Sequence, residues 1–361
     1  MKIAVLGGGN GAYAAAADLS EQGHEVRLWR RDADALQATI SHGTITLKDS
    51  QGARDVAIAL ATGNIASALQ EAQLIVVPTP ANAQDDIALA MAPHLRSGQV
   101  VFLPPGSFGG YAMAQIVKRA GCNADVLWAE TGTLPYLARK HGDRTLNFAI
   151  NITVRAIHLP TGVYPECRSK EALQIIRQAY PAAHDCGNIL SGALMNAGPI
   201  IHPPLMIMNA APLQHFEKWD IHNEGTQPSV RAVTDQLDQE RIAIREALGF
   251  RAPHYPLADH YNTNKWMYGD AHKKLVKSGD WREAIDLKTH RYVTEDIEIG
   301  LAFLASVARW AQVDAPITQG ILAITSGILG RDLRQGARTL ESLGLATLTR
   351  ERLSELLLNG T

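Results

Sequence analysis

The sequence predicts two domains, an open α/β domain over residues 1–185 and an all-α domain over residues 186–361. Three observations carry this. The chain has 361 residues, and single domains usually run to ~100–200 residues. Its start reads strand, glycine-rich turn, helix, strand, which is one βαβ unit. From Asn188 onward strand signals vanish and apolar residues recur at helical spacing.

Residues 2–6 are an apolar run bounded by glycine and read as a buried parallel strand. Residues 10–22 are alanine-rich and favour helix, with Gly23 as a natural stop. Residues 25–29 alternate as a second strand. Between the first strand and the helix lies Gly7-Gly8-Gly9-Asn10-Gly11-Ala12, a G-x-G-x-x-A motif. Gly7 allows the tight turn, Gly9 lets the backbone approach a pyrophosphate, and Ala12 lets the helix pack on the strand. Asn10 and Gly11 open a helix whose free N–H groups and positive dipole end favour phosphate. Glycine clusters also make plain turns, but here strand, helix and second strand surround the motif as a dinucleotide site requires. The first domain is therefore expected to be a Rossmann fold.

The end of the second strand bears on the cofactor. An NAD enzyme usually places Asp or Glu there for the ribose 2′-OH. This chain has Trp29-Arg30-Arg31-Asp32. An arginine at that place would pair with a 2′-phosphate, so Arg30 and Arg31 favour NADP(H) over NAD(H). The alternative leaves both arginines in solvent and gives the ribose to Asp32.

Residues 39–61 read as two strands around Lys48-Asp49-Ser50-Gln51-Gly52, a hairpin decorating the sheet. Residues 64–72 read as a helix and 73–77 as a strand ending in Pro78-Thr79-Pro80. Ligands in open α/β sheets lie beyond the carboxyl ends of the strands, which places Pro78 and Thr79 against the cofactor. Residues 99–103 form the next strand, followed by a second glycine-rich turn from Pro104 to Gly110. That turn is either a ligand contact or a tight connection. A strand over 125–129 delivers Glu130 beside the nicotinamide end, as a site residue or as a helix cap. Residues 148–159 and a helix over 169–180 complete the domain, with the boundary near Asp185.

In the second domain Val230, Val233, Leu237, Ile244 and Leu248 recur at helical spacing up to Gly249. Residues 295–311 read as another apolar-faced helix, and Thr349 caps a last short one. The catalytic cleft is expected between the domains. Reduction of a carbonyl or imine needs a proton donor and a cation for a substrate carboxylate. His202, in the apolar, proline-flanked run from Asn196 to Pro204, is the candidate donor. With thirteen histidines in the chain, a core imidazole bonded to a backbone carbonyl is the competing role. Arg291 can hold a carboxylate bidentately, and Asp296 can support a charged imidazole; the same segment also reads as an exposed helix start. His215, Glu217, Asp220 and His222 match no metal-ligand spacing, so no metal is expected. Tyr261, Trp266 and Tyr268 read as core aromatics.

A net charge of −2 offers no basic excess for nucleic acid or an anionic membrane. No apolar run approaches the ~20 residues of a membrane helix. Cys122, Cys167 and Cys186 show no paired spacing, which fits a reducing compartment. A strand beginning at Lys2 leaves no room for a signal peptide, and the expected location is the cytoplasm.

Several segments together resemble the opine dehydrogenase family, of the octopine/nopaline type. They are Ala4-Val5-Leu6-Gly7-Gly8-Gly9-Asn10-Gly11, then Asn196 through His202-Pro203 with Asn209-Ala210-Ala211. Pro228-Ser229-Val230, Asp238-Gln239-Glu240-Arg241-Ile242 and Arg291-Tyr292 with Glu295-Asp296-Ile297 follow. Gly336-Ala337-Arg338-Thr339-Leu340 and Leu343-Gly344-Leu345 end the series. The resemblance implies a His202–Asp296 proton-transfer dyad and Arg291 near a 2-oxo acid carboxylate. It implies reductive condensation of an amino acid with a 2-oxo acid, often pyruvate, through an imine. Arg30 departs from family members that carry an acid after the second strand. A homodimer is the default assembly, although the family includes monomers. Competing readings are a 2-hydroxy acid, ketopantoate or glycerol-3-phosphate dehydrogenase, or a non-catalytic NADP(H) sensor. The first group commonly uses a lysine in the helical domain, and Lys265 and Lys288 sit in no matching segment.

Overall fold

The computed structural model describes residues 1–142, 148–336 and 338–360. The chain forms two units, Met1–Ala193 joined by the C-terminal stretch from Leu357, and Leu194–Leu356. The first is an α/β Rossmann-like unit and the second is helical. The boundary expected near Asp185 falls inside a strand, and the first unit continues through that strand and a short helix, Ile189–Ala193.

Among the described residues the first unit holds twelve strands. They are β1 (Lys2–Leu6), β2 (Glu25–Trp29), β3 (Thr44–Asp49), β4 (Gly52–Ala57), β5 (Leu60–Thr62) and β6 (Leu74–Val76). The rest are β7 (Val100–Leu103), β8 (Leu127–Thr131), β9 (Tyr136–His141), β10 (Ala149–Arg155), β11 (Leu159–Tyr164) and β12 (Ala183–Asn188). Eight of them form one sheet in the order β12-β11-β8-β7-β6-β1-β2-β5. All its neighbours pair in parallel except β8 and β11. β1 is central because its apolar run can be buried on both faces, and four of its five residues are. It has β2 on one side and β6 on the other, so the strand order reverses there, and such a switch point opens a ligand crevice at the strands' carboxyl ends.

The second sheet runs β4-β3-β10-β9. The hairpin read over residues 39–61 is therefore half of a separate sheet, not a decoration of the main one. The segment read over 148–159 also divides. β10 joins the small sheet and β11 the main one, with a register break between Ile152 and Val154 in the β10–β9 pairing. The strand read over 125–129 sits two residues later, because Leu127 pairs with Val100 and Glu130 with Leu103.

The helix α1 (Asn10–Glu21) is nearly all buried. Its alanines share one apolar core with Ile3 and Val5 of the main sheet and Ile45, Leu47, Ile150 and Ile152 of the small one. Small side chains let both sheets close on one helix. Asp18 is buried at 6% exposure and is satisfied by Tyr136 Oη at 3.0 Å, Arg155 Nε at 2.6 Å and Gln22 Nε2 at 2.8 Å. A buried carboxylate is tolerated because it is both paired and hydrogen-bonded.

In the second unit the longest helix is Pro228–Ala247, opened by a proline whose missing N–H costs nothing at that position. Its inward face carries Val230, Thr234, Leu237, Arg241 and Ile244. Glu240 accepts the Ile317 and Thr318 amides at 2.7 and 2.9 Å, capping the helix Pro316–Leu329. Trp266 and Tyr268 are buried core aromatics, whereas Tyr261 lies under the Arg231 guanidinium at 4.4 Å. Among the described residues no helix is long and apolar enough to cross a membrane.

Candidate functional site

The glycine loop connects β1 to α1. Gly7 takes φ +147°, which favours glycine, and its N–H donates to Trp29 O at 2.8 Å. A Cβ there would meet Thr79 Cγ2 at 2.8 Å and Ala12 Cβ at 3.3 Å. A Cβ on Gly11 would lie 3.2 Å from Pro78 Cβ. Pro78 and Thr79, which follow β6, thus abut the glycine loop. A Cβ on Gly9 would meet nothing within 4 Å. α1 has no side-chain cap and no acidic residue in its first turn. Open space above uncapped amides is what a pyrophosphate requires, so these residues fit a dinucleotide.

Arg30 folds back over this loop. Its Cδ and Nε would be 2.5 and 2.6 Å from a Cβ on Gly8. Asp32 Oδ1 accepts the Ala35 amide at 3.1 Å, and its other oxygen lies 3.8 Å from Arg30. Arg31 is three-quarters exposed and pairs with Asp86 at 2.8 Å. Glu130 is fully buried and accepts the Phe108 and Gly110 amides at 2.7 and 2.9 Å. It therefore caps the start of the helix Gly109–Arg119, one of the two roles open to it, and it ties down the second glycine-rich turn.

In the second unit His202 lies on the helix Gly198–Met208, which contains Pro203 and Pro204. Opposite is a short helix, Arg291–Thr294, running into a π-helical turn, Asp296–Leu301. π-turns inside helices recur at functional sites. Two glycines let these elements meet. A Cβ on Gly300 would collide with Pro199, and one on Gly198 with Asp296 Oδ1. The close approach brings His202 Nδ1 to 2.7 Å from Asp296 Oδ2. The Tyr292 ring stacks on the imidazole at 3.7 Å between centroids, and His222 meets it edge-on at 5.8 Å. His202 and Asp296 side chains are 15% and 5% exposed. Burial pushes the Asp296 carboxyl up to about 7, against the opposing pull of Arg291. With an imidazole beside it, such a pair can hold and pass one proton near neutral pH.

Arg291 is half exposed, and Glu295, four residues on, meets its Nε at 3.2 Å. Within this unit the structure thus brings together His202, Asp296 and the segment bearing Arg291. Tyr292 and His222 were not singled out as companions of His202. Tyr292 stands one helical turn before Asp296, so helical spacing places both on one face; no local pattern marks His222. Asp220 accepts the His222 and Asn223 amides at 3.0 and 3.1 Å. Among the described residues no group of three or more His, Cys, Asp or Glu side chains could hold a metal ion.

Residues 185–329 match the family model described as NAD/NADP octopine/nopaline dehydrogenase, alpha-helical domain. Residues 2–103 match the NAD-dependent glycerol-3-phosphate dehydrogenase N-terminus, a likeness confined to the nucleotide-binding half. Over 355 residues the chain is 29% identical to an opine dehydrogenase of Arthrobacter sp. (strain 1C), covering 96% of each. Octopine dehydrogenase in complex with NADH and pyruvate has a similar fold, with a TM-score of 0.68 at 18% identity, covering 97% of this chain and 99% of that one. NADP+-bound yersinopine dehydrogenase gives 0.67 at 15%, covering 99% and 98%. Residues 185–329 thus carry the helical domain of the octopine/nopaline dehydrogenases, and the chain is an NAD(P)-dependent oxidoreductase of the opine dehydrogenase type, the kind that reductively condenses an amino acid with a 2-oxo acid.

Proposed function

We propose that this enzyme joins an L-amino acid to a 2-oxo acid such as pyruvate, using NADP(H), to give an N-(carboxyalkyl)amino acid, and runs the reverse oxidation. The observation that carries the proposal is the 2.7 Å hydrogen bond between His202 and Asp296. Attack of the amine on the oxo carbon and loss of water need a proton at the departing oxygen. With Nδ1 on the carboxylate, that proton is assigned to Nε2. Asp296 supports the imidazolium, and Tyr292 fixes the plane of the ring. Arg291 serves the oxo-acid carboxylate: Glu295 takes Nε, and no other carboxylate among the described residues forms an ion pair with the guanidinium. When bound, the reduced nicotinamide supplies the hydride that turns the imine into a secondary amine.

Gly7, Gly9, Asn10, Gly11 and Ala12 would hold the dinucleotide, with Pro78 and Thr79 as its wall. NADP(H) is favoured because Arg30 lies over Gly8 while Asp32 is committed to the Ala35 amide. Arg31, turned to Asp86, contributes less. Yersinopine dehydrogenase, of similar fold, is seen with NADP+, and octopine dehydrogenase with NADH and pyruvate. All three cysteines lie outside disulfides, which supports a cytoplasmic setting.

The test mixes protein, NADPH or NADH, pyruvate and pooled amino acids, and follows nicotinamide absorbance. Oxidation that requires the amino acids and runs faster with NADPH is expected. Oxidation with the oxo acid alone would overturn the condensation reading. Faster turnover with NADH would overturn the cofactor reading.

A further inference from the structure

We infer that Lys140 is a second cation for the 2′-phosphate of NADP(H), closing with Arg30 a two-sided clamp over Gly8; this rests on the NADP(H) reading above. Lys140 lies on β9 in the small sheet, far from the glycine loop in sequence. Its N–H donates to Asn10 Oδ1 at 3.0 Å, which docks the strand against the start of α1. Its Nζ donates to Gly8 O at 3.1 Å. The ammonium also lies 4.8 Å from the Tyr13 ring centre and 4.3 Å from that of Phe148. These rings hold the long side chain in place. Arg30 approaches the same glycine from the end of β2, with Nε 2.6 Å from where a Cβ on Gly8 would stand. Two cations thus converge on the residue between the two key glycines.

Among the described residues no carboxylate pairs with Lys140, while Arg30 makes a long ion pair with Asp32 at 3.8 Å. Burial and the neighbouring Arg30 charge both pull the Lys140 ammonium below its ordinary range. Gathering like charges in a half-buried place is unfavourable unless an anion joins them. The end of β2 is where the ribose 2′ position is read. The ligand chemistry that fits is therefore a doubly charged phosphate monoester on that ribose, bound by a guanidinium fork and an ammonium.

The test titrates NADPH and NADH, and the fragments adenosine 2′,5′-bisphosphate and 5′-AMP, into the whole protein by calorimetry. Wild type, Lys140→Met, Lys140→Arg and Arg30→Ala are compared, with ligand-free melting as the check on folding. Methionine keeps the length and packing without the charge. Lys140→Met should weaken NADPH and the bisphosphate about tenfold or more, corresponding to about 1.4 kcal/mol. NADH and 5′-AMP should change less than about twofold, and Lys140→Arg should restore most of the loss. Equal weakening of both cofactors, or no change in either, would overturn the role of Lys140. If wild type binds NADH more tightly than NADPH, the cofactor reading itself fails, and the clamp with it.

Discussion

Replacing Asp296 by asparagine removes a charge and keeps the shape. The side chain is 5% exposed, and its carboxyl is held at about 7 instead of its ordinary 3.8. That difference disfavours its charged form by about 4 kcal/mol. The charge persists only through its partners, the His202 imidazole at 2.7 Å and the Arg291 guanidinium. Asparagine ends this cost, so folding stability should be unchanged or raised. The imidazolium loses its counter-charge, however, and an amide nitrogen can face Nδ1 and disturb the tautomer. General acid–base support of this kind contributes roughly 10²–10⁴-fold, or about 3–5 kcal/mol of barrier. Steady-state turnover in both directions, beside melting curves, is the assay. The expected result is kcat lower by that factor with cofactor Kd unchanged. An Asp296→Asn enzyme with kcat within about threefold of wild type would refute the dyad.

The same carboxyl sets a stability slope. Its folded pKa lies above the unfolded one, so the folded state binds the extra proton between about 4 and 7; stability should fall as pH rises through that window, and denaturant titrations should show a shallower slope for Asp296→Asn. Gly300→Ala drives a methyl group into Pro199, which should cost about 1–3 kcal/mol and, by parting His202 from Asp296, on the order of 10²-fold in kcat. Equal kinetics in that variant would show that the close approach is not needed. Glu130→Ala leaves the Phe108 and Gly110 amides without their carboxylate and should cost about 2–3 kcal/mol, with NADPH Kd nearly unchanged in the folded fraction. A large, selective loss of cofactor binding would instead give Glu130 a direct role.

Local signals were legible and non-local ones were not. β1, β2 and α1 could be read to within a residue because an apolar run, a glycine turn and an alanine-rich stretch each act over a few positions. The place of Pro78 and Thr79 beside the glycine loop follows from the end of β6. β9 was missed because Tyr136–His141 has no apolar alternation and is held as a strand by Asn10 and β10. The small sheet pairs β3 with β10 across about a hundred residues, a register that no window of sequence reveals. His202 and Asp296 were marked by resemblance rather than by pattern. Their meeting depends on Gly198 and Gly300, whose lack of a side chain is informative only once the facing helix is known. Lys140 reaches Gly8 across 132 positions, and no local motif announces it.

The most direct test of the central claim is the product itself. Purified enzyme would be supplied with NADPH, pyruvate and a nitrogen-labelled amino acid, and the product examined by mass spectrometry. Reductive condensation predicts one secondary amine that contains the labelled nitrogen and the carbon skeletons of both substrates, formed in step with NADPH loss and absent from His202→Ala. Lactate formed at the same rate with or without the amino acid would contradict the account.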